Sequence, residues 1–355
     1  MCYFVVLIPT YVNVEFPSKQ KTMAKAGRRS LAGRQLHHLC TANNIDKGDG
    51  FFDPRIVPGI YKIAMSADET EAVGMLCCGS CGITEIDDIK LMKCADCDLV
   101  RYCSDKCQQD HRPQHERACK ERSAELRDEV LFRQPDSTHL GDCPICFLPL
   151  LDRDQCSVFR CCSKLICNGC VHATFFQIQM CPFCRCPISE VGSKKNEMRR
   201  IAANDPFALR EMGKKYDIKE DYEGAFEYWT KAAEFGDVEA HDLLSTLYRK
   251  GQYVEKDEEK ERYHLEEAAI GGHPVARYFL AINEIVNKKY ERAVKHLIIA
   301  AKLGHDESIK SLMQVFKIGG HISKEEFAAT LRAHQAAVDA TKSSQREEAA
   351  ARQNL

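Results

Sequence analysis

Residues 205–236 read DPFALREMGKKYDIKEDYEGAFEYWTKAAEFG, and the pattern returns further along the chain. The same phase restarts at Asp237, His273 and His305, giving periods of 32, 36 and 32 residues. Three of the segments close alike, on Ala232-Ala233-Glu234-Phe235-Gly236, Ala268-Ala269-Ile270-Gly271-Gly272 and Ala300-Ala301-Lys302-Leu303-Gly304; the fourth closes more loosely around Ala336-Ala337. The first three open with apolar residues at helical spacing: Ala208, Met212, Tyr216; Ala240, Leu244, Tyr248; Ala276, Leu280. Such a segment holds two helices. Small Ala-Ala steps let neighbouring helices approach closely, and the glycine after the second helix suits a left-handed C-terminal turn. One Ala-Ala-x-x-Gly string would be only a helix end; three in phase predict an all-α solenoid of helix pairs over 205–340. The length changes where a pair is joined, Asp217–Asp221 being shorter than Lys250–Asp257. Tyr222, Phe226, Tyr228 and Trp229 are expected in the core between repeats.

Upstream of the repeats the composition changes sharply. Of 20 cysteines, 18 fall between Cys77 and Cys186, and Pro187 onward has none. A cysteine-rich block beside a large thiol-free half suits metal binding in a reducing compartment, cytoplasmic and/or nuclear, better than a small secreted disulfide scaffold. Lys and Arg total 50 against 52 Asp and Glu, a net charge of −2, so no specific nucleic acid is expected as a partner. The longest apolar run, Tyr3 to Ile8, is too short to span a bilayer.

The first cysteine block offers its ligands in pairs: Cys78 and Cys81, Cys94 and Cys97, Cys103 and Cys107, His115 and Cys119. Two intervening residues let a tight turn aim both sulfurs at one tetrahedral zinc, and three do so from one helical turn. Eight ligands fill two closed sites with no position for a reacting water, which means structure rather than metal catalysis. The block is too small to fold on apolar burial alone, so zinc must supply its stability. Cys78 is a better ligand than Cys77, which would need a three-residue gap to Cys81.

This block resembles a MYND finger, a protein-interaction module, through Cys-Asp-Leu-Val-Arg-Tyr-Cys-Ser-Asp-Lys-Cys (97–107) followed by His111, His115 and Cys119. The resemblance implies interleaved sites: Cys78, Cys81, Cys103 and Cys107 on one zinc, Cys94, Cys97, His115 and Cys119 on the other. Arg112 stands where the family usually has Trp, which implies an altered peptide-binding face.

The second block repeats the arrangement with Cys143 and Cys146, Cys161 and Cys162, Cys167 and Cys170, Cys181 and Cys184. Adjacent cysteines need an unusual turn to share an ion, so either could be spare, with Cys156 a substitute and Cys186 a bystander. The block resembles an all-cysteine RING finger. That implies Cys143, Cys146, Cys167 and Cys170 on a first zinc and Cys181 and Cys184, with Cys161 and Cys162, on a second. RING fingers usually carry His where Lys164 stands; a protonated lysine is a poor ligand. The cofactor expected is therefore about four structural zinc ions.

The RING resemblance implies a ubiquitin ligase that holds a charged conjugating enzyme. Ile145 matches the aliphatic contact residue, Cys181-Pro182-Phe183-Cys184 matches the Cys-Pro-x-Cys turn, and Arg185 matches the bridging arginine. Thr174, followed by Phe175 and Phe176, replaces the usual aromatic. With no cysteine after Cys186 and none between Cys119 and Cys143, such a ligase would transfer ubiquitin directly, by positioning. The repeats resemble Sel1-like repeats, relatives of the tetratricopeptide repeat, and imply protein partners. The combination resembles an expanded set of algal and diatom proteins that join RING fingers to Sel1 repeats. Two readings follow: a ligase whose MYND finger and repeats recruit a target, or a non-catalytic adaptor.

The expected organisation is a poorly structured basic region over 1–76, with Met1 and Met23 both candidate starts. The MYND-type finger occupies 77–120, a linker 121–141, the RING-type finger 142–190 and a second linker 191–204. The repeats fill 205–340, and 341–355 is a charged helix or frayed tail.

Overall fold

The structure is a computed structural model that describes residues 77–86, 89–175, 180–187, 190–319 and 321–353. The basic region with Cys2, Cys40 and Met23 lies outside the described residues, as do Phe176 and the side chains of Thr174 and Phe175. The chain divides into two compact units, one ending at Glu129 and the other running from Val130.

In the first unit, β1 (Met92–Lys93) pairs antiparallel with β2 (Arg101–Tyr102), placing Met92 opposite Tyr102. Helix α1 (Asp105–Leu131) follows. Strands of two residues cannot hold a fold together through backbone bonds. The core is correspondingly small: Leu91, Val100 and Tyr102 are buried among Cys78, Cys94 and Cys97. Helix α1 has little apolar face, and exposed ion pairs along it, such as Lys120–Glu116 at 2.7 Å and Arg117–Glu121 at 3.0 Å, add only ~0.2–0.5 kcal/mol each.

The second unit begins with an antiparallel hairpin, β3 (Cys156–Phe159) with β4 (Lys164–Cys167), leading into α2 (Asn168–Phe175) and α3 (Glu190–Ala202). Four helix pairs follow: α4 (Pro206–Asp217) with α5 (Tyr222–Glu234), α6 (Val238–Lys250) with α7 (Glu258–Ile270), α8 (Pro274–Val286) with α9 (Tyr290–Lys302), and α10 (Asp306–Ile318) with α11 (Lys324–Ala340). Helix α12 (Ser344–Gln353) ends the described chain. No described helix is long and apolar enough to cross a membrane.

The repeat phase has a local cause. Asp205, Asp237, His273 and His305 are the N-caps of α4, α6, α8 and α10. Asp205 and Asp237 each accept from the N–H three residues on at 2.8 Å, and His273 Nδ1 does so at 3.2 Å. Such caps satisfy N–H groups that the helix itself cannot. At the other end, Gly236, Gly272 and Gly304 take φ of 84°, 85° and 86°. The left-handed residue turns the chain so that the N–H groups of Gly236 and Asp237 donate to the carbonyls of Ala233 and Ala232, both at 2.9 Å. Ala232, Ala268, Ala269, Ala300 and Ala301 are all fully buried.

The core runs through the repeats in clusters. Leu209, Trp229, Leu244 and Leu247 form one, with Tyr222, Phe226 and Tyr228 packed against it. Leu297, Ala301, Leu312 and Val315 form another. Each fully buried Leu is worth ~1.5–3 kcal/mol. The stretches expected as linkers contain helix, since α1 runs on to Leu131 and α3 occupies most of 191–204. The entry segment is tied to the repeats: buried Arg277 donates from Nη1 to the Leu131 carbonyl and from Nη2 to that of Ala269, each at 2.7 Å. Terminal helix α12 packs against α2.

Candidate metal centres

Among the described residues, four groups of four side chains converge, each with its ligand atoms within 4.8 Å of one another. In the first unit they are Cys78, Cys81, Cys103 and Cys107, and Cys94, Cys97, His115 and Cys119; in the second, Cys143, Cys146, Cys167 and Cys170, and Cys161, Cys162, Cys181 and Cys184. In both blocks the first pair of ligands joins the third, and the second joins the fourth.

The separations test whether zinc fits. A tetrahedral ion with Zn–S bonds of about 2.3 Å places its sulfurs roughly 3.8 Å apart. Across the groups the distances are 3.5 Å for Cys81–Cys103, 3.7 Å for Cys94–Cys119, 3.8 Å for Cys146–Cys167 and 3.6 Å for Cys162–Cys181. Disulfides would need about 2.0 Å. His115 presents Nε2 to Cys97 Sγ at 3.2 Å, and burial holds its imidazole below the usual range, in the neutral form a ligand requires. The chain binds structural zinc, about four ions.

Backbone amides prepare the sulfurs. Burial pushes the Cys78 thiol up, but hydrogen bonds from the backbone at Cys81, Cys103 and Ser80 outweigh it and bring the thiol down to about 6. In the same way burial opposes, and amides at Cys146, Cys167 and Ile145 overcome, so that Cys143 lies at about 7. Cys94 and Cys181 are lowered by the same balance, with amides at Asp96 and Cys97 and at Cys184 and Phe183. The first cysteine of each of these Cys-x-x-Cys turns is thus favoured as a thiolate, the form that binds metal.

The adjacent cysteines occupy the tip of the β3–β4 hairpin. The Cys162 N–H donates to the Phe159 carbonyl at 3.1 Å, and Ser163 takes the left-handed φ of 54° that closes the turn. This is the unusual turn that lets both sulfurs reach one site. Ser163 donates to Asp205 Oδ1 at 2.9 Å and accepts from Arg200 Nε at 2.8 Å, and Arg200 pairs with Asp205. The cap of the first repeat therefore also anchors the ligand turn, which no spacing rule reveals.

The other described cysteines, Cys77, Cys156 and Cys186, stand apart from the four groups. Cys156 donates its S–H to the Asp152 carbonyl at 3.2 Å, and burial pushes the thiol up to about 12. Cys186 donates to the Pro187 carbonyl at 3.3 Å, and Cys77 sits in a bridge opposite Thr84. Lys164 is exposed on β4. His111, near the ligands of the first block, meets the Tyr102 hydroxyl through Nδ1 at 3.1 Å and stacks on His115.

Around the second block, Ile145 is half-buried against the finger core, and Phe183 meets Phe159 edge-on at 5.9 Å. Pro182 and Arg185 are exposed. Arg185 has φ of 55°, and its N–H closes the turn on the Cys181 carbonyl at 2.9 Å. Sequence reasoning passed over Phe147, which follows the first ligand pair in a left-handed turn and is 76% exposed. A large apolar residue directly after a ligand was a visible signal. It passed over Arg346 too, for which the sequence carries no signal beyond one base in a charged tail.

Residues 78–119 match the family model of the MYND finger, and residues 206–237, 238–273 and 274–305 each match the Sel1 repeat. No curated protein matches the chain significantly. Among solved structures it is similar to c5321, a protective antigen present in uropathogenic Escherichia coli strains displaying an SLR fold, at 19% identity and TM-score 0.37 over 43% of this chain and 36% of that one. A Sel1 repeat protein from Oxalobacter formigenes aligns at 24% identity and TM-score 0.35, over 41% of this chain and 64% of that one. The immunity protein PA5088 from Pseudomonas aeruginosa aligns at 17% identity and TM-score 0.34, over 48% and 65%. The chain spans less than two thirds of each. It combines a MYND finger, a second cluster of zinc ligands and Sel1 repeats.

Proposed function

We propose that the second cysteine block is a RING-type finger and that the chain is a ubiquitin ligase acting by direct transfer, with the MYND finger and Sel1 repeats recruiting its target. The observation that carries this reading is the interleaved grouping of Cys143, Cys146, Cys167 and Cys170 with Cys161, Cys162, Cys181 and Cys184. That grouping leaves two ligand turns with accessible apolar residues: Ile145 and Phe147 on one, Pro182 on the other. The Arg185 guanidinium, free in solvent beside the last ligand, has the planar donors needed to bridge a conjugating enzyme and its ubiquitin. No group in this site would react with substrate; the finger works by holding two proteins in a reactive posture.

Discharge of ubiquitin from a panel of charged conjugating enzymes onto free lysine tests the reading. Ile145→Ala should weaken docking. Arg185→Ala should leave docking nearly intact and slow discharge about tenfold, equivalent to about 1.4 kcal/mol at the transition state. No discharge with any conjugating enzyme at full zinc occupancy would overturn ligase activity and leave a zinc-finger adaptor, the reading that the MYND finger and repeats support by themselves.

A further inference from the structure

We propose that helix α12 is a clasp on the first zinc site of the second finger, with Arg346 as the positioning residue that holds the Cys146 thiolate. The inference rests on zinc at Cys143, Cys146, Cys167 and Cys170, though not on ligase activity. One guanidinium spans the loop behind the ligand turn: Nη1 donates to the Pro149 carbonyl at 2.8 Å and to that of Thr341 at 3.1 Å. Nη2 donates to the Leu148 carbonyl at 3.1 Å and reaches Cys146 Sγ at 3.4 Å. Loop, ligand and the turn before α12 are thereby fastened at one point.

The chemistry gives this contact a purpose. Four thiolates around one divalent zinc leave a net charge of about −2, which is costly away from water. A guanidinium cancels part of that charge, and its N–H orients the sulfur, as outer-sphere donors do in metal sites generally. Lysine could supply the charge, but not the fork that meets three carbonyls and a sulfur together.

The packing is fitted to the same end. Gly169 lies on α2 between two ligands, and a Cβ there would come within 2.9 Å of the Arg346 backbone. Only glycine lets α12 approach this closely. Ser343 accepts from the Arg346 N–H at 3.3 Å, Ala349 is buried, and Arg352 Nη1 lies 2.6 Å from His172 Nε2. Zinc at this site is therefore held more tightly while α12 stays docked.

Release of zinc from the full, zinc-loaded chain to excess chromogenic chelator tests the clasp. Arg346→Ala should release one ion ~10–100-fold faster than wild type, the scale on which outer-sphere partners affect metal sites. Gly169→Ala should do the same from the opposite element, and the double variant should be no faster, because both act by freeing one helix. Arg346→Lys should fall between, while Glu348→Ala, exposed on the same helix, should stay near wild type. In the cobalt-substituted protein, Arg346→Ala should shift the thiolate charge-transfer band of this site, a change that loss of packing elsewhere would not produce. Cys143→Ser, read by native mass, separates the two levels: if it loses no ion, the zinc assignment fails. If it loses one while Arg346→Ala and Gly169→Ala release zinc at the wild-type rate, the clasp alone is overturned.

Discussion

In the first cysteine block, the core around the ligands comes from residues 78–119 themselves, with Leu91, Val100 and Tyr102 packed among the sulfurs. In the second, the ligands between Cys143 and Cys184 are met by residues far along the chain. Arg200 and Asp205 hold the turn at Ser163, and Arg346 holds Cys146. The ligand grouping is the same in both blocks, but its support differs. A local finger depends on its metal almost entirely, because structural zinc is worth about 10–16 kcal/mol in such a domain. A finger packed on helices draws part of its order from an apolar core that chelation does not touch.

The largest test of that contrast is metal removal. Chelation should erase hydrogen-exchange protection over 78–119, while α4–α11 retain theirs. Repeats that melt together with the first finger would break the comparison.

Next come the adjacent cysteines. Cys161→Ser and Cys162→Ser should each empty the second site of the second finger, leaving three ions by native mass where the wild type holds four. A variant that keeps all four would mark that position as a bystander and return Cys156 to consideration.

A finer probe compares two glycines of nearly equal φ. Gly236→Ala adds a Cβ with nothing within 4 Å, so its cost is the left-handed backbone alone, ~1–2 kcal/mol. Gly304→Ala adds one 2.6 Å from Leu151 Cδ1, on the segment that carries the second finger. It should cost ~1–3 kcal/mol more by overpacking. Equal losses in urea unfolding would mean that Leu151 yields freely and the finger sits loosely on the repeats.

The smallest effect is a pH dependence. Burial pushes His273 down to about 4, from an ordinary value of about 6.5, so the folded chain holds it neutral. Its contribution is complete above about pH 6.5 and is lost as pH falls toward 4, because the unfolded chain takes up the proton first. His273→Asn keeps an acceptor for the Ala276 N–H and should flatten the loss of repeat stability between pH 6.5 and 5.5. An unchanged slope would shift the effect to two half-buried histidines: His139, which stacks on it at 4.1 Å and is pushed down to about 3, and His264, at about 4.

What the sequence determined by itself are the features made within a few residues of chain. A Cys-x-x-Cys turn aims two sulfurs wherever it occurs, and Ala-Ala-x-x-Gly closes a helix through its own carbonyls, so the ligand pairs and the phase of the repeats were legible. The interleaving of the pairs came from family resemblance, since spacing alone permits other combinations. Only the tertiary structure decided that Cys161 and Cys162 share a site: the turn that allows it depends on Ser163 held by Arg200 and Asp205, some 40 residues later. Only the tertiary structure turned the charged tail into a docked helix, because the space for it lies at Gly169 and its anchor at carbonyls nearly 200 residues before Arg346. Contacts between distant segments leave no periodicity or spacing behind; they arise where folded surfaces meet.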